Sequence, residues 1–232
     1  MKKNNHNYVQ KIPYEFIESY IDERTGIRYY KTPEGESLPS VTSILNVVYN
    51  EKNEELQNWK KRIGEKKAKE ISDESKIIGT LVHKNIENYV KSGNFIEGNN
   101  FVRKLARNMS KILVERFFYN IDEIWGIEIP LWFPGLYAGT SDLIFLKKNH
   151  LYIGDIKTTK NKKEDNQIIN YKLQTIAYAL AHNKIYGTNI KRTCIFMVSR
   201  NMDIQFWEID EEEYSELYDK WIEILCEYYE KK

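Results

Sequence analysis

The sequence predicts an α/β domain in which a mostly helical first half precedes a sheet flanked by helices. Apolar residues recur at helical spacing through most of residues 40–118. Residues 124–133 are a mostly apolar run, and residues 136–159 alternate between apolar and polar, as strands do. The length of 232 residues suits one large domain with a sizeable core, and no repeat or linker divides it. We therefore treat the chain as one domain, with the helical part over 1–119 and the sheet with its flanking helices over 120–232.

Composition excludes several classes of protein. The formal net charge is +1 at pH 7, so this is not a globally basic nucleic-acid binder, and any contact with DNA must come from a local patch. No apolar run approaches the roughly 18 residues of a membrane helix, and the start of the chain lacks a signal or transit pattern. We therefore expect a cytoplasmic protein that binds no membrane. With two cysteines, neither a disulfide framework nor a four-cysteine zinc or iron–sulfur site is expected.

The N-terminal part predicts a β-hairpin followed by a short helix. Residues 8–36 carry aromatic and apolar residues on both sides of a turn signal at 22–26. Pro39 and Ser40 then open a helix, for which Ser40 suits the N-cap position. The hydroxyls of Ser40 and Thr42 are alternatively placed to contact a phosphate group.

Two basic helices are predicted, over residues 53–71 and 99–118. Apolar residues form one stripe on each helix, and charged residues fill the rest. Each basic face fits either an ordinary solvated surface or a wall that guides DNA. The cations singled out as candidate DNA contacts are Lys60, Lys61, Arg103 and Arg107.

Between these helices, residues 76–91 predict another helix, beginning near Lys76. Its residues Gly79, His83 and Glu87 fall at intervals of four and share one stripe. Gly79 would allow another backbone to come close. A single helical histidine is usually structural, so His83 becomes a candidate metal ligand only if another part of the fold requires one.

An acidic residue interrupts the apolar strand predicted over residues 124–133. Glu128 stands there among apolar neighbours, which is an unfavourable place for a carboxylate unless it is paired or ligating. It is therefore a candidate metal-side carboxylate, or a group that orients other ligands.

The central feature is a hairpin over residues 136–159, with its polar turn at 147–150. Antiparallel register from this turn places Asp142 opposite Asp155, and two carboxylates across a strand pair repel each other. A divalent cation bound by both would compensate, because such ions prefer oxygen ligands. Lys157 lies one pleat further on the same face, where it would add positive charge or handle a proton. This arrangement is the one that metal-dependent phosphodiester hydrolysis requires.

The alternative is that both carboxylates face solvent and Lys157 only pairs with Asp155. This is the default for any single strand acid, since exposed carboxylates are common. Two features favour a functional site for the set as a whole. The strand around Asp155 is otherwise apolar, and Gly154 leaves room beside the acid for a ligand.

The helix predicted over 166–182 carries Gln174 and Tyr178 four residues apart, and so on one stripe. Together they could contact a substrate phosphate or base, or orient the acid and lysine of the central hairpin. They fit a partly buried polar edge equally well. A hairpin over 192–209 and a final helix capped by Asp210 complete the chain.

These candidate residues occur in an order that resembles a known family. The motifs are, in sequence order, Gly79-x-x-x-His83, Glu128, Gly139-x-x-Asp142, Asp155-x-Lys157 and Gln174-x-x-x-Tyr178. The order is similar to the RecB-like branch of the PD-(D/E)xK nuclease superfamily, especially the group of the mitochondrial genome maintenance exonuclease and its phage and bacterial relatives. Asp-x-Lys alone is a short signal, whereas the whole ordered set on suitable secondary structure is specific. The resemblance extends from about residue 39 to the C-terminus.

The resemblance implies a fold, a metal site and a set of roles. The fold is a restriction-endonuclease-like three-layer core, with a central mixed sheet flanked by helices, an N-terminal hairpin and an arch-like helical insertion. The cofactor is Mg²⁺ or Mn²⁺, with the ligands His83, Asp142, Asp155 and the backbone carbonyl of Ile156. The catalytic residues are Asp142, Asp155 and Lys157. Gln174 and Tyr178 bind the substrate DNA, and Glu128 is a supporting acid.

The same resemblance implies a substrate of single-stranded DNA with a free end, threaded beneath an arch that helices 53–71 and 99–118 could form. The absence of a mitochondrial presequence points to a phage or bacterial version. The chain lacks the four cysteines of the iron–sulfur nucleases in this branch, so no iron–sulfur cluster is expected, and it lacks the phosphate loop of a helicase motor. We therefore expect a metal-dependent exonuclease, with replication or recombination proteins of phage or host as further partners.

Two alternatives stay open at this point. A structure-specific endonuclease would use the same site, and the sequence does not separate it from an exonuclease. A non-catalytic DNA-binding module on a decayed nuclease fold would be expected to lack Asp142, Asp155 or Lys157, and all three are present.

Overall fold

The structure is a computed structural model that describes residues 8–50, 58 and 61–231. It is an α/β fold with a three-stranded antiparallel sheet, a five-stranded mixed sheet and surrounding helices. In the described ranges, no helix has the length and apolar character needed to cross a membrane. The elements are β1 (Glu18–Ile21), β2 (Arg28–Lys31), β3 (Ser37–Pro39), α1 (Val41–Asn50), α2 (Glu65–Ser92), α3 (Phe101–Phe117), β4 (Glu123–Phe133), β5 (Tyr137–Lys147), β6 (His150–Thr159), α4 (Ile169–Tyr186), β7 (Arg192–Ser199), β8 (Ile204–Ile209) and α5 (Glu211–Glu230).

The N-terminal hairpin is confirmed, and it has a third strand that the sequence pattern did not predict. Strands β1, β2 and β3 pair antiparallel in that order. Ser40 then caps α1, because its Oγ accepts a hydrogen bond from the Ser43 N–H at 3.0 Å. An isolated bridge between Ser40 and Ala138 joins this small sheet to β5 of the large one.

The predicted boundary between the second and third helices is wrong. The sequence pattern ended one helix at 71 and began the next near 76, but α2 runs without a break over residues 65–92. The break falls instead at Gly64, whose φ of 85° is readily adopted by glycine. The remainder of the helix predicted over 53–71, including the candidate DNA contact Lys60, lies mostly outside the described residues.

The central hairpin turns inside the predicted segment 147–150 and keeps the predicted register from Lys147–His150 to Leu143–Gly154. The ladder ends there, so the predicted pair of Asp142 with Asp155 is not part of it. Lys148 and Asn149 form the turn with positive φ values of 50° and 63°, as a two-residue hairpin turn requires. The predicted pairs Leu146–Leu151 and Ile144–Ile153 are both present. The strand order is β4-β5-β6-β7-β8, in which β6 and β7 are parallel and the other neighbours antiparallel.

Helices cover both faces of the large sheet, because successive strand residues point to opposite sides. On one face Ile144 and Ile153 pack with α1, α4 and α5. On the other face Leu143 and Phe145 pack with α2 and α3. Helix α3 contacts α2 and β7, so this half of the predicted arch forms part of the core layer. The other half of the arch lies mostly outside the described residues and stays a prediction.

Candidate active site

More than half of the predicted site residues line a cleft of about 440 Å³ beside the large sheet. The N-terminal sheet, α1, α2, α4 and strands β4 to β6 all contribute residues to its lining. Eight of the predicted residues line it: Ser40, Thr42, His83, Glu128, Asp142, Lys157, Gln174 and Tyr178. The volume is in the range of ligand-binding clefts in proteins.

Asp142 lies where β5 and β6 separate. The ladder between these strands runs from Lys147–His150 to Leu143–Gly154. At the next position the Asp142 carboxylate accepts a hydrogen bond from the Ile156 N–H, with Oδ2 2.6 Å from the nitrogen. Along its opposite edge, strand β6 stays paired with β7 as far as Thr159–Ser199. The acid therefore replaces a backbone acceptor at the point where the strands part, and its own side chain is buried.

Asp155 is fully buried and is held by Lys157. The lysine Nζ lies 2.7 Å from Oδ1, to which it donates a hydrogen bond, and 2.6 Å from Oδ2. The Oδ2 contact is an ion pair without hydrogen-bond geometry, so this buried atom accepts no hydrogen bond from any described residue. Burial and the neighbouring Asp142 raise the pKa of Asp155 to about 7, although Lys157 opposes the rise. The pairing of Lys157 with Asp155 is thus present, but the alternative of solvent-facing carboxylates is wrong.

His83 connects α2 to both carboxylates and to β6. Its Nδ1 lies 3.0 Å from Glu128 Oε1 and 3.4 Å from Asp142 Oδ1, and its Nε2 lies 2.9 Å from the Ile156 carbonyl oxygen. Burial lowers the pKa of His83, but Asp142 and Glu128 outweigh it and hold the pKa well above its usual range. A charged imidazole, which donates from both nitrogens, matches these acceptors, so His83 would have to release a proton in order to ligate a metal ion.

The same network sets the ionisation of the two nearest acids. Burial raises the pKa of Asp142, but His83, Lys157 and the Ile156 N–H hold it below its usual value. Burial raises the pKa of Glu128. Asp142 is therefore the more strongly ionised carboxylate of the pair, and the one better suited to hold a cation.

Glu128 occupies a strained backbone position. Its φ is 52° within β4, a left-handed conformation that non-glycine residues rarely adopt in a strand. The flanking pairs are Ile127–Leu143 and Ile129–Ser141, which places Glu128 opposite Asp142. The strain accompanies the turn of its carboxylate toward His83, so the acid flagged by the sequence is paired rather than isolated.

Gly139 and Tyr178 are in close contact. A Cβ at Gly139 would lie 2.5 Å from Tyr178 Cε1, a distance that no real side chain tolerates, so this position needs glycine. Gln174 donates from Nε2 to the Tyr178 hydroxyl at 2.9 Å. Burial, with Tyr30 and Asp155 nearby, holds the pKa of Tyr178 well above its usual range. Tyr178 therefore stays protonated and can donate its hydroxyl hydrogen into the cleft.

Gly79 has a different role from the one predicted. A Cβ there would meet the side chain of Thr158 at 3.4 Å, which is an ordinary contact. The predicted close approach of another backbone at Gly79 is wrong, although the residue does line the cleft with His83 and Glu87.

The donor set fits a divalent cation. His83, Glu128 and Asp142 offer ligand atoms that all lie within 4.8 Å of one another. Asp155 adds a buried oxygen that lacks a hydrogen bond from the described residues. Carboxylate oxygens and one imidazole nitrogen are all ligand types that divalent metal ions accept in proteins. Compared with the predicted ligands, Glu128 joins the group, while Asp155 and the Ile156 carbonyl are held by Lys157 and His83.

The more distant predicted contacts fall into three groups. Ser40 is buried and its hydroxyl is engaged with Thr42 and Ser43, so it positions α1. Thr42 is exposed in the cleft. Lys61, Arg103 and Arg107 are absent from the cleft lining, and Arg107 pairs with Glu97.

Sequence analysis missed cleft residues on the N-terminal sheet and on α2. Tyr30 is buried on β2, and its hydroxyl lies 3.1 Å from Thr140 Oγ1 on β5. Arg28 shares that face of β2, and Lys84 follows His83 on α2. The alternation of Arg28 and Tyr30 was visible in the sequence, but nothing in it indicated that this strand would pack beside the central hairpin.

Comparisons with known proteins add little. No protein-family model matches the chain, and no curated protein matches it. Among solved structures, the chain is similar to the crystal structure of protein VC1899 from Vibrio cholerae, with 13% identity and a TM-score of 0.22. The match covers 80% of this chain and 60% of that protein, so the chain spans about 60% of its length. A TM-score this low carries no argument about fold or function.

Proposed function

We propose that the protein is a metal-dependent DNA exonuclease of the PD-(D/E)xK superfamily, with a restriction-endonuclease-like core, that acts on single-stranded DNA with a free end. The observation that carries the proposal is the placement of Asp142, Asp155 and Lys157 where β5 and β6 part, beneath a cleft that His83 also lines. The preference for a free end rests on the sequence resemblance. The setting would be DNA replication or recombination in a phage or bacterial cytoplasm, with proteins of those processes as further partners.

The residues that would hold Mg²⁺ or Mn²⁺ are Asp142, Asp155, His83 and the Ile156 carbonyl, with Glu128 beside them. Bound there, the ion would supply a Lewis acid and an activated water to the scissile phosphate. No iron–sulfur cluster is part of the proposal. Glu128 fixes the orientation of His83 through the 3.0 Å contact, in the manner of carboxylates that support a ligating histidine.

Lys157 is the group best placed to stabilise negative charge on the phosphate. Burial lowers the pKa of Lys157, but Asp155 and Asp142 outweigh it and hold the pKa above its usual value. The side chain is therefore an ammonium group near neutral pH, and it reaches the cleft while bound to Asp155. A fixed positive charge aimed at the reacting phosphate lowers the energy of the transition state. These properties favour an electrostatic role for Lys157 over that of a general base.

Two groups on α4 would position the DNA strand. Tyr178 stays protonated, and Gln174 fixes its hydroxyl oxygen by donating a hydrogen bond at 2.9 Å. The Tyr178 hydroxyl hydrogen is then free to bind a phosphate oxygen. Their position in the same cleft as Lys157 supports a role in holding the strand beside the site of hydrolysis.

The proposal is tested with end-labelled linear single-stranded DNA and a closed single-stranded circle of the same length. We expect the linear strand to be degraded in Mg²⁺ and to survive in EDTA, while the circle survives in both. Cleavage of the circle would assign the structure-specific endonuclease instead. Binding without cleavage of either substrate, in Mg²⁺ or Mn²⁺, would assign a non-catalytic DNA-binding module.

A further inference from the structure

Two positively charged side chains in the cleft have no role in the proposed hydrolysis. Arg28 on β2 and Lys84 on α2 both line the cleft and both are exposed. Neither side chain forms an ion pair or a hydrogen bond with another described residue, and the contact of Arg28 with Ser43 is made by its backbone N–H. They differ in this respect from the other charged groups around them.

The charged side chains deepest in the cleft already have oppositely charged partners. Lys157 is bound to Asp155. His83 lies between Glu128, Asp142 and the Ile156 carbonyl. On the outer side Glu87 accepts a hydrogen bond from Lys91 at 2.6 Å. Of the cations that line the cleft, Arg28 and Lys84 are therefore the two without a carboxylate partner among the described residues.

Arg28 is carried on a rigid part of the fold. Its backbone N–H donates to Ser43 Oγ at 3.1 Å, and its carbonyl accepts from the Ser40 N–H at 2.7 Å. Two residues along the same face, the buried Tyr30 fixes β2 to β5 through Thr140. The guanidinium group is thus exposed on a strand whose backbone is held in place on both sides.

Lys84 lies on α2, on the side of the cleft formed by that helix. It directly follows His83, whose contact with the Ile156 carbonyl fixes this turn of α2 to β6. The N-terminal sheet contacts β5, whereas α2 contacts β4 and β6. The two cations therefore come from different elements, each anchored independently to the strands that carry Asp142 and Lys157.

We propose that Arg28 and Lys84 bind phosphates of one polynucleotide strand from these two sides of the cleft, on phosphates other than the one that is hydrolysed. The inference rests on the proposed function, and it adds two positioning residues to it. Phosphate contacts of this kind give affinity and register without reading sequence. Arginine can bind a phosphate through two donors, and lysine acts as a point charge.

The test is the salt dependence of binding to a labelled oligothymidylate, measured by fluorescence anisotropy. A Lys157→Ala background in Mg²⁺ serves as the parent, so that the strand is not consumed. The variants added to it are Arg28→Gln, Lys84→Gln, the double variant, and the charge-conserving Arg28→Lys and Lys84→Arg. The controls are Arg24→Gln, on the exposed turn of the same hairpin, and Lys191→Gln, which is exposed and absent from the cleft lining. Circular dichroism confirms that each variant is folded.

Each phosphate contact on a single strand contributes roughly 0.7 to the slope of log affinity against log salt. We expect each glutamine variant to lower the slope by about 0.7 and to weaken binding about fivefold at 0.1 M salt. The double variant should lose about twice that slope, and the charge-conserving variants and both controls should keep the parent slope.

Unchanged slopes in Arg28→Gln and Lys84→Gln would overturn the inference. If the parent then still binds the strand and the wild-type protein still degrades it, only the inference falls and the proposed function stands. If the parent shows no binding and the wild type no hydrolysis, both fall together.

Discussion

The carboxylate of Asp142 accepts a hydrogen bond from the Ile156 N–H, with Oδ2 2.6 Å from the nitrogen, at the point where β5 and β6 separate. The contact gives Asp142 a structural task in addition to its proposed task as a ligand. The same residue, Ile156, is also bound through its carbonyl oxygen, which lies 2.9 Å from His83 Nε2.

Two substitutions of Asp142 should separate these tasks. Asp142→Asn keeps an oxygen that can accept from the Ile156 N–H, whereas Asp142→Ala leaves that buried donor without its partner. We expect Asp142→Ala to be less stable than Asp142→Asn by about 1–3 kcal/mol, and both to lose nuclease activity. Urea denaturation of the two variants measures the difference. Equal stability would show that the N–H finds another acceptor.

Gly139→Ala should be destabilising, because the new Cβ would lie 2.5 Å from Tyr178 Cε1. Moving the buried ring should lower the free energy of unfolding by about 1–3 kcal/mol. Gly79→Ala is the matched control, since its Cβ would only touch Thr158 at 3.4 Å and alanine favours a helix. Thermal melts of both variants test the contrast, and a loss at Gly79 equal to that at Gly139 would contradict it.

A buried histidine away from the cleft should make stability depend on pH. His182 is fully buried, with Tyr14 and Thr188 as hydrogen-bond partners, and burial lowers the pKa of His182 from 6.5 to about 4. Because the folded-state pKa lies below the unfolded one, the stabilisation is complete above pH 6.5 and is lost as the pH falls toward 4. The loss should reach about 3 kcal/mol.

Urea denaturation at several pH values measures this loss, and His182→Gln is the comparison. The variant should lack the part of the pH dependence between 6.5 and 4 that belongs to His182. Identical pH profiles for the two proteins would contradict the assignment.

Local patterns were enough to predict much of the fold. The polar turn and the alternating strands placed Leu146 opposite Leu151, and helix capping by Ser40 and Asp210 followed from their residue types. Of the nine residues named in the ordered motifs, all but Asp155 line one cleft. The turn, the strand pairing and the helix caps depend on interactions close in sequence or on the fixed geometry of a hairpin, whereas the grouping of the motif residues was expected from the family resemblance.

Features that depend on distant contacts were not predictable in this way. The three-residue strand β3 is defined by its pairing with β2, and the placement of Arg28 depends on the packing of that sheet against β5. The positive φ of Glu128 is a backbone strain set by its surroundings, with no signal in its own sequence. The break at Gly64 was missed because the flanking residues on both sides are good helix formers.

The central claim is tested most directly by the hydrolysis of linear single-stranded DNA in Mg²⁺ by the wild-type protein and by Lys157→Ala. Lys147→Ala is the matched control, since this lysine pairs with Glu208 and does not line the cleft. We expect Lys157→Ala to lower the rate by about 100-fold or more while it still binds the strand, and Lys147→Ala to retain the wild-type rate. A wild-type protein without activity in Mg²⁺ or Mn²⁺, or equal rates for wild type and Lys157→Ala, would contradict the account.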